Sequence, residues 1–243
     1  MDDDHLMVFL GGLHRSGTTM LASLLATHPD ISAFHATGAP KDEGQHLQSV
    51  WPTDEHHGGP GRFARCPEAH MTSMGEDVAT PLRAQWRRYW DLSRPVLLEK
   101  SPPNLLRFRA LQEAFPNSAF VLIKRHPIPV SLSTRKWTPA LTMEQLVEHW
   151  VHAYDLAAQD LPYLDRVMTL HYEDLIADPA TALAQVADLV GLAAAFDIAG
   201  VDPRGNDRYF RGWSGDEALG RLASSVRRHG YDLTEEGPLC RVF

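Results

Sequence analysis

A chain of 243 residues, 44% hydrophobic and 22% charged, has the make-up of an ordinary globular protein long enough to bury a substantial core. Its formal charge of −8 argues against non-specific binding to nucleic acid, which needs a basic footprint. Two cysteines, Cys66 and Cys240, give neither a disulfide framework nor a metal-ligand spacing. The acidic start MDDDHLMVFLGG holds an apolar run too short for a signal peptide or membrane anchor, so a soluble cytoplasmic protein without a membrane span is expected.

Residues 6–10 form a short apolar run ending in Gly11-Gly12, which reads as a buried strand entering a turn. A helix is expected over 18–27, with Met20, Leu21, Leu24 and Leu25 on one stripe; His28-Pro29 ends it. Residues 34–75 are rich in Gly, Pro and His and show no period. The next strand is 95–100, closed by Ser101-Pro102-Pro103, after which Asn104 is expected to cap a helix reaching about Phe115. Pro116-Asn117 turns the chain into a strand over 119–125. Met143, Leu146, Val147, Trp150, Val151 and Tyr154 recur at helical spacing. A strand over 167–172 and a helix over 179–190 follow, and 199–215 is again aperiodic. Both aperiodic stretches carry aromatic residues (Trp51 and Phe63; Tyr209, Phe210 and Trp213), so they are expected to be ordered loops at the site. Strands alternating with helices predict a single α/β domain over 1–243, with a central, mostly parallel sheet and helices on both faces.

In open α/β sheets ligands bind beyond the carboxyl ends of the strands. Four polar features fall there: the loop 12–19, Lys100, Arg125 and Tyr172. The loop, GLHRSGTT, has the spacing of a P-loop, with Thr18 where nucleoside triphosphatases have lysine. Gly12 and Gly17 allow the backbone N–H groups to turn inward as an anion nest at a helix N-terminus. Ser16, Thr18 and Thr19 add hydroxyls, and Arg15 adds a guanidinium able to grip two oxygens. Arg125 and Ser133 stand eight apart in RHPIPVSLS, close together if a helix starts after Pro127 or Pro129. Singly, each has a plain alternative: a threonine-capped glycine turn, a surface arginine, a tyrosine ending a strand, or a lysine paired with Glu99 or another carboxylate. Together they predict one anionic ligand across the top of the sheet. The histidines His56, His57, His149 and His152 come with no H-E-x-x-H pattern or cysteine partner, so no metal site is expected.

Taken together, these stretches resemble the sulfotransferases that use 3′-phosphoadenosine 5′-phosphosulfate (PAPS). HRSGTT is similar to their 5′-phosphosulfate loop, most like that of the tyrosylprotein and carbohydrate branch, which assigns donor binding to Arg15, Ser16, Gly17, Thr18 and Thr19. Arg125 and Ser133 resemble the pair that binds the 3′-phosphate, and HYEDL resembles the segment whose tyrosine reaches that phosphate, here Tyr172. EKSPPN resembles the segment whose lysine contacts the sulfuryl group, here Lys100. NDRYFRGW is the candidate for the late loop on the 3′-phosphate and adenine, through Arg208 and Tyr209. The resemblance runs in order over residues 6–180 and is loose beyond.

A P-loop-type domain is thereby implied, and the missing lysine becomes intelligible. PAPS carries a 5′-phosphosulfate and needs no metal, and the strand 119–125 ends in two bases where an acidic magnesium ligand would stand. The resemblance implies in-line displacement, with Lys100 and Arg15 offsetting charge as 3′,5′-ADP departs. An acceptor hydroxyl also needs a base. The tyrosylprotein branch uses a glutamate whose matching place here is His35-Ala36. Glu43 is the first substitute, His46 the second and His35 the third, with Asp42 in the same loop. The acceptor expected is a small molecule, sugar or lipid, held by loops 34–75 and 199–215. A small-molecule kinase with an altered P-loop, and a non-catalytic nucleotide-binding module, stay open as alternatives.

Overall fold

The computed structural model describes residues 5–211 and 213–234; the acidic start, Gly212 within NDRYFRGW, and Cys240 lie outside them. Strands β1 (Leu6–Gly11), β2 (Ile31–Ala33), β3 (Val96–Lys100), β4 (Ser118–Lys124) and β5 (Val167–His171) form one sheet in the order β2-β3-β1-β4-β5. Every neighbouring pair is parallel, with Leu10 opposite both Lys100 and Val121. Parallel neighbours need crossover connections, and these lay helices on both faces.

Alternation along the strands sorts the core into two layers. Met7, Phe9, Leu97, Phe120 and Leu122 pack against α2 (Glu76–Trp86), α3 (Phe108–Ala114) and α5 (Met143–Asp160) through Leu82, Trp86, Leu111, Trp150 and Tyr154. Val8, Leu10, Leu98, Val121 and Ile123 face the other way, onto α1 (Thr18–Leu25), α6 (Tyr172–Ala177) and α7 (Pro179–Val190). Each such side chain removed from water contributes roughly 1.5–3 kcal/mol. The fold is the three-layer α/β arrangement expected, with a sheet that is wholly parallel among the described residues.

Several elements depart from the sequence reading. Helix α1 ends two residues early, and Tyr172 opens α6 where a strand end was expected. Asn104 caps no helix. Its side-chain amide donates to Leu10 O (3.0 Å) and Glu99 Oε2 (2.5 Å), the chain makes a 3₁₀ turn over Pro102–Leu106, and α3 starts only at Phe108. Strand β2 is three residues long, too short to show a period. Helix α2 carries Pro81 in its interior and a largely polar sequence, which hide it. The stretch 34–75 is built of 3₁₀ turns, yet it buries Trp51, Phe63, Ala69 and Met74 against the core. Phe210 and Trp213 likewise pack on the core, and Tyr209 is buried.

The topology fixes where a ligand sits. The connection leaving β1 runs outward to β2, whereas the one leaving β3 crosses back over β1 to β4. Chain direction therefore reverses between β1 and β3, opening a crevice beyond their carboxyl ends.

Candidate active site

The loop after β1 enters that crevice. Its glycines are required. A Cβ on Gly12 would stand 2.5 Å from Ile123 O, and one on Gly17, whose φ is +104, would stand 2.6 Å from the Tyr172 ring. Gly17 precedes α1, whose first amides have no acceptor within the helix, the arrangement that suits an anion. Ser16, expected to serve the ligand, turns its hydroxyl inward onto Leu13 O (2.5 Å) and closes the loop. Four non-glycine residues among those described have left-handed backbones: Arg15, Ala36, Lys41 and Asp42. One lies in the phosphate loop and three lie in the loop leading to Glu43. Backbone strain of this kind gathers where a constellation must be held.

Arg125, just past β4, is 6% exposed and sits 4.0 Å over the Tyr172 ring and 5.3 Å from the Tyr209 ring. Its guanidinium donates to Asn206 Oδ1 (2.8 Å), Arg15 O (2.9 Å) and Gly205 O (3.1 Å), tying three distant loops together. Helix α4 (Pro127–Arg135) presents Ser133, whose Oγ accepts from Arg15 Nε at 2.6 Å. The short helix α8 (Asp207–Phe210) brings Arg208, which donates to the Tyr209 hydroxyl at 2.9 Å. Burial raises the Tyr209 phenol, but hydrogen bonds with Ser133 and Arg208 and the charge of Arg125 outweigh it and hold the phenol below its usual value. The structure thus gathers Arg15, Arg125, Ser133, Tyr172, Arg208 and Tyr209 into one cationic corner.

Arg15, expected to act with Lys100 on the departing group, holds Ser133 through Nε and stacks its guanidinium 4.9 Å from the Trp137 ring.

At the end of β3, Lys100 is 5% exposed and its Nζ donates to Glu43 Oε1 (3.0 Å), Lys41 O (3.1 Å) and Thr19 Oγ1 (3.4 Å). Its carboxylate partner is Glu43, not Glu99. Glu99 is fully buried and accepts from Gly44 N–H (2.9 Å), Ser101 Oγ (2.6 Å) and Asn104. Burial raises the Glu99 carboxyl, against the pull of those bonds. Gly44 approaches so closely that a Cβ there would lie 2.4 Å from Glu99 Oε1. Glu43 Oε2 accepts from Gln45 Nε2 at 2.8 Å, and Trp86 Nε1 donates to Gly44 O at 2.9 Å, so the loop is pinned just after Glu43.

The lesser candidates fall around this pair. His46 Nε2 lies 3.9 Å from Glu43 Oε2. His35 is exposed. Burial pushes the Asp42 carboxyl up, but two bonds from Thr37 outweigh it and hold it low. The sequence reading missed His14, whose Nε2 lies 3.2 Å from Asp54 Oδ2 and so joins the phosphate loop to the segment after Glu43. It also missed Asn206, which bridges Arg125 and the buried Glu173. Buried His149 accepts from Ala64 N–H (3.2 Å), His152 is exposed, and no group of three or more metal-ligating side chains is gathered among the described residues.

Comparison with known proteins gives a consistent picture. A family model described as "Sulfotransferase family" matches residues 8–197. A protein-tyrosine sulfotransferase of Drosophila melanogaster is 27% identical over 183 residues, covering 71% of this chain but only 35% of the relative. This chain therefore spans about a third of that relative's length. Among solved structures, the sulfotransferase domain of the Synechococcus PCC 7002 olefin synthase superposes with a TM-score of 0.58 at 17% identity, covering 94% of this chain and 95% of that one. Sulfotransferase STF9 of Mycobacterium avium superposes at 0.55 and 13% identity, covering 96% and 79%. At these identities the structural likeness establishes the fold.

Proposed function

We propose, from the premise that this chain belongs to the sulfotransferase family, that it transfers a sulfuryl group from PAPS to a hydroxyl of a small-molecule, sugar or lipid acceptor. The observation that carries the reading is the buried Lys100–Glu43 pair, 3.0 Å apart, set at the first turn of the helix that follows the phosphate loop.

PAPS, when bound, supplies the activated sulfuryl group and leaves as 3′,5′-ADP. The residues present suit it. Arg15, Arg125 and Arg208, with Ser133 and Tyr209, offer charge-assisted donors for a phosphate in one corner. Three of the five N–H donors of Arg125 hold Asn206, Arg15 and Gly205, which leaves capacity for an anion. At the other end, the Lys100 ammonium and the α1 amides supply positive charge without a metal.

Within this reading Glu43 takes the proton from the acceptor hydroxyl at a carboxylate oxygen. Gln45 and Lys100 hold that carboxylate in place. Lys100 donates to the oxygen on which negative charge grows, and removing such a donor costs about 10²–10³-fold in rate. His46, packed beside Glu43, is the second candidate for the base. Residues 34–75 and 199–215 are read as the loops that enclose acceptor and nucleotide within a single domain.

The test is calorimetry with 3′,5′-ADP in the presence of a chelator. Binding that is tight, independent of magnesium and much stronger than that of ATP is expected. Equal affinity for ATP, or a strict need for magnesium, sinks the reading in favour of a kinase.

A further inference from the structure

Outside the anion corner, a cleft of about 650 Å³ runs from Lys100 along the outer face of α1 to Arg94. Its volume is in the range that takes a small-molecule ligand. One wall is Thr19, Ala22, Ser23 and Ala26, the i, i+3, i+4, i+7 face of a helix. All four are small, so the wall recedes over about 10 Å, at 1.5 Å rise per residue. Ile31 and Leu98 contribute apolar surface opposite, and the cleft is also lined by Phe34 and the half-exposed ring of Tyr89, 5.7 Å from it. The Thr19 end meets the Lys100 ammonium at 3.4 Å, and that ammonium holds Glu43. The cleft therefore reaches Lys100, the residue that holds Glu43.

Most of its charges have partners within the protein, the exposed Lys41 at its edge apart. Arg94 donates to Ile31 O at 2.7 Å and lies 3.5 Å from Asp91, while Asp42 accepts from Thr37. Hydrogen bonds from Ser93 hold the Asp91 carboxyl below its usual range, and Asp42 is likewise held low, so both line the cleft as carboxylates. Lys41 and Arg94 offset these two carboxylates and Lys100 is paired with Glu43, so an ionised acceptor gains no net attraction here. A sugar would leave the small apolar wall of α1 without a partner. An apolar body gains from the recessed wall, since burial of each methylene is favourable.

Resting on the sulfotransferase reading, we infer that this cleft is the acceptor site and that it takes an elongated, uncharged alcohol or phenol with an apolar body. The hydroxyl sits at the Lys100–Glu43 end and the tail lies along Ala22 and Ala26.

The experiment is transfer of labelled sulfate from PAPS to phenol, 4-butylphenol and 4-octylphenol, with glucose and an acidic tyrosyl peptide as comparators. It uses the wild-type chain and Ala26→Trp, a substitution at an exposed helix end. We expect kcat/KM to rise about twofold to fourfold for each methylene that reaches the cleft. Ala26→Trp should abolish the gain from the longer tail while leaving phenol turnover and 3′,5′-ADP affinity unchanged. A flat dependence on chain length, an Ala26→Trp protein that keeps the gain, or preference for the peptide or sugar overturns the inference while leaving sulfuryl transfer intact. Failure to bind 3′,5′-ADP and to sulfate any acceptor overturns the underlying reading, and the inference with it.

Discussion

Lys100 Nζ lies 3.0 Å from Glu43 Oε1, and the two side chains are 5% and 9% exposed, so a cation and a carboxylate 57 residues apart form a buried pair. Taking two such ions out of water costs several kcal/mol each, which makes the pair weak evidence for stability. It is better explained by chemistry that needs both groups in fixed places. Lys100→Ala should therefore lower kcat by about 10²–10³-fold while 3′,5′-ADP affinity changes little. Removing one partner also leaves Glu43 buried and uncompensated, so Lys100→Ala should unfold at lower urea than wild type. Steady-state kinetics and calorimetry on the same preparation check both parts.

Arg125→Ala should act on binding instead. Its loss removes a charge-assisted site and releases Asn206, Gly205 and Arg15 O from one guanidinium. Affinity for 3′,5′-ADP should fall by about 1.5–3 kcal/mol, roughly tenfold to 150-fold. Arg125→Lys should recover only part of it, because an ammonium cannot span three acceptors in a plane. Calorimetry on the two variants checks the order.

Gly44→Ala tests the support beneath Glu43. The added methyl would meet Glu99 Oε1 at 2.4 Å, within a fully buried cluster that has no slack. Overpacking of this kind costs about 1–3 kcal/mol. Because the neighbouring residue is Glu43, kcat should fall further than the stability loss explains, with 3′,5′-ADP affinity preserved. Urea unfolding and kinetics on the soluble variant decide it.

Two buried histidines set an acid limit on the fold. Burial pulls His149 down to about 3 and His171 to about 4, whereas both take up a proton near pH 6.5 in the unfolded chain. The unfolded state then binds more protons below that pH, so stability is complete above about 6.5 and falls as pH drops toward 4. The loss is up to about 1.4 kcal/mol per unit for each histidine. Glu99 and Glu173, whose carboxyls burial raises, work in the opposite sense. A His149→Gln variant isolates one contribution: its oxygen still accepts from Ala64 N–H, and its urea midpoint should fall less than wild type between about pH 7 and about pH 5.

Much of this site could be read from sequence because its residues stand where apolar runs stop. Lys100, Arg125 and Tyr172 each end or follow a run of buried strand residues, and Gly12 and Gly17 mark a turn that few other residues permit. Their mutual distances could not be read, since Arg125 and Asn206 are 81 apart in sequence and joined by one hydrogen bond. The contact of Arg15 with Ser133, 118 residues away, and its left-handed backbone were not legible either, since no propensity signals them. Glu99 did leave a trace. An acid inside the strand VLLEK must find buried donors, and Ser101 and Asn104, two and five residues on, were visible candidates. The cleft along α1 was invisible because Ala22, Ser23 and Ala26 become a wall only once β2, three residues long, is in place.

Single-turnover transfer of labelled sulfate from PAPS, with a chelator present and a panel of phenols, fatty alcohols and sugars as acceptors, bears most directly on the Lys100–Glu43 pair as the reaction centre. Wild type and Glu43→Gln are compared, with His46→Ala as the neighbouring control. The pair predicts metal-independent transfer by wild type, near-normal rates for His46→Ala, and a loss of about 10²–10⁴-fold in Glu43→Gln with 3′,5′-ADP affinity within about twofold. Undiminished transfer by Glu43→Gln, or no transfer by wild type to any acceptor, contradicts it.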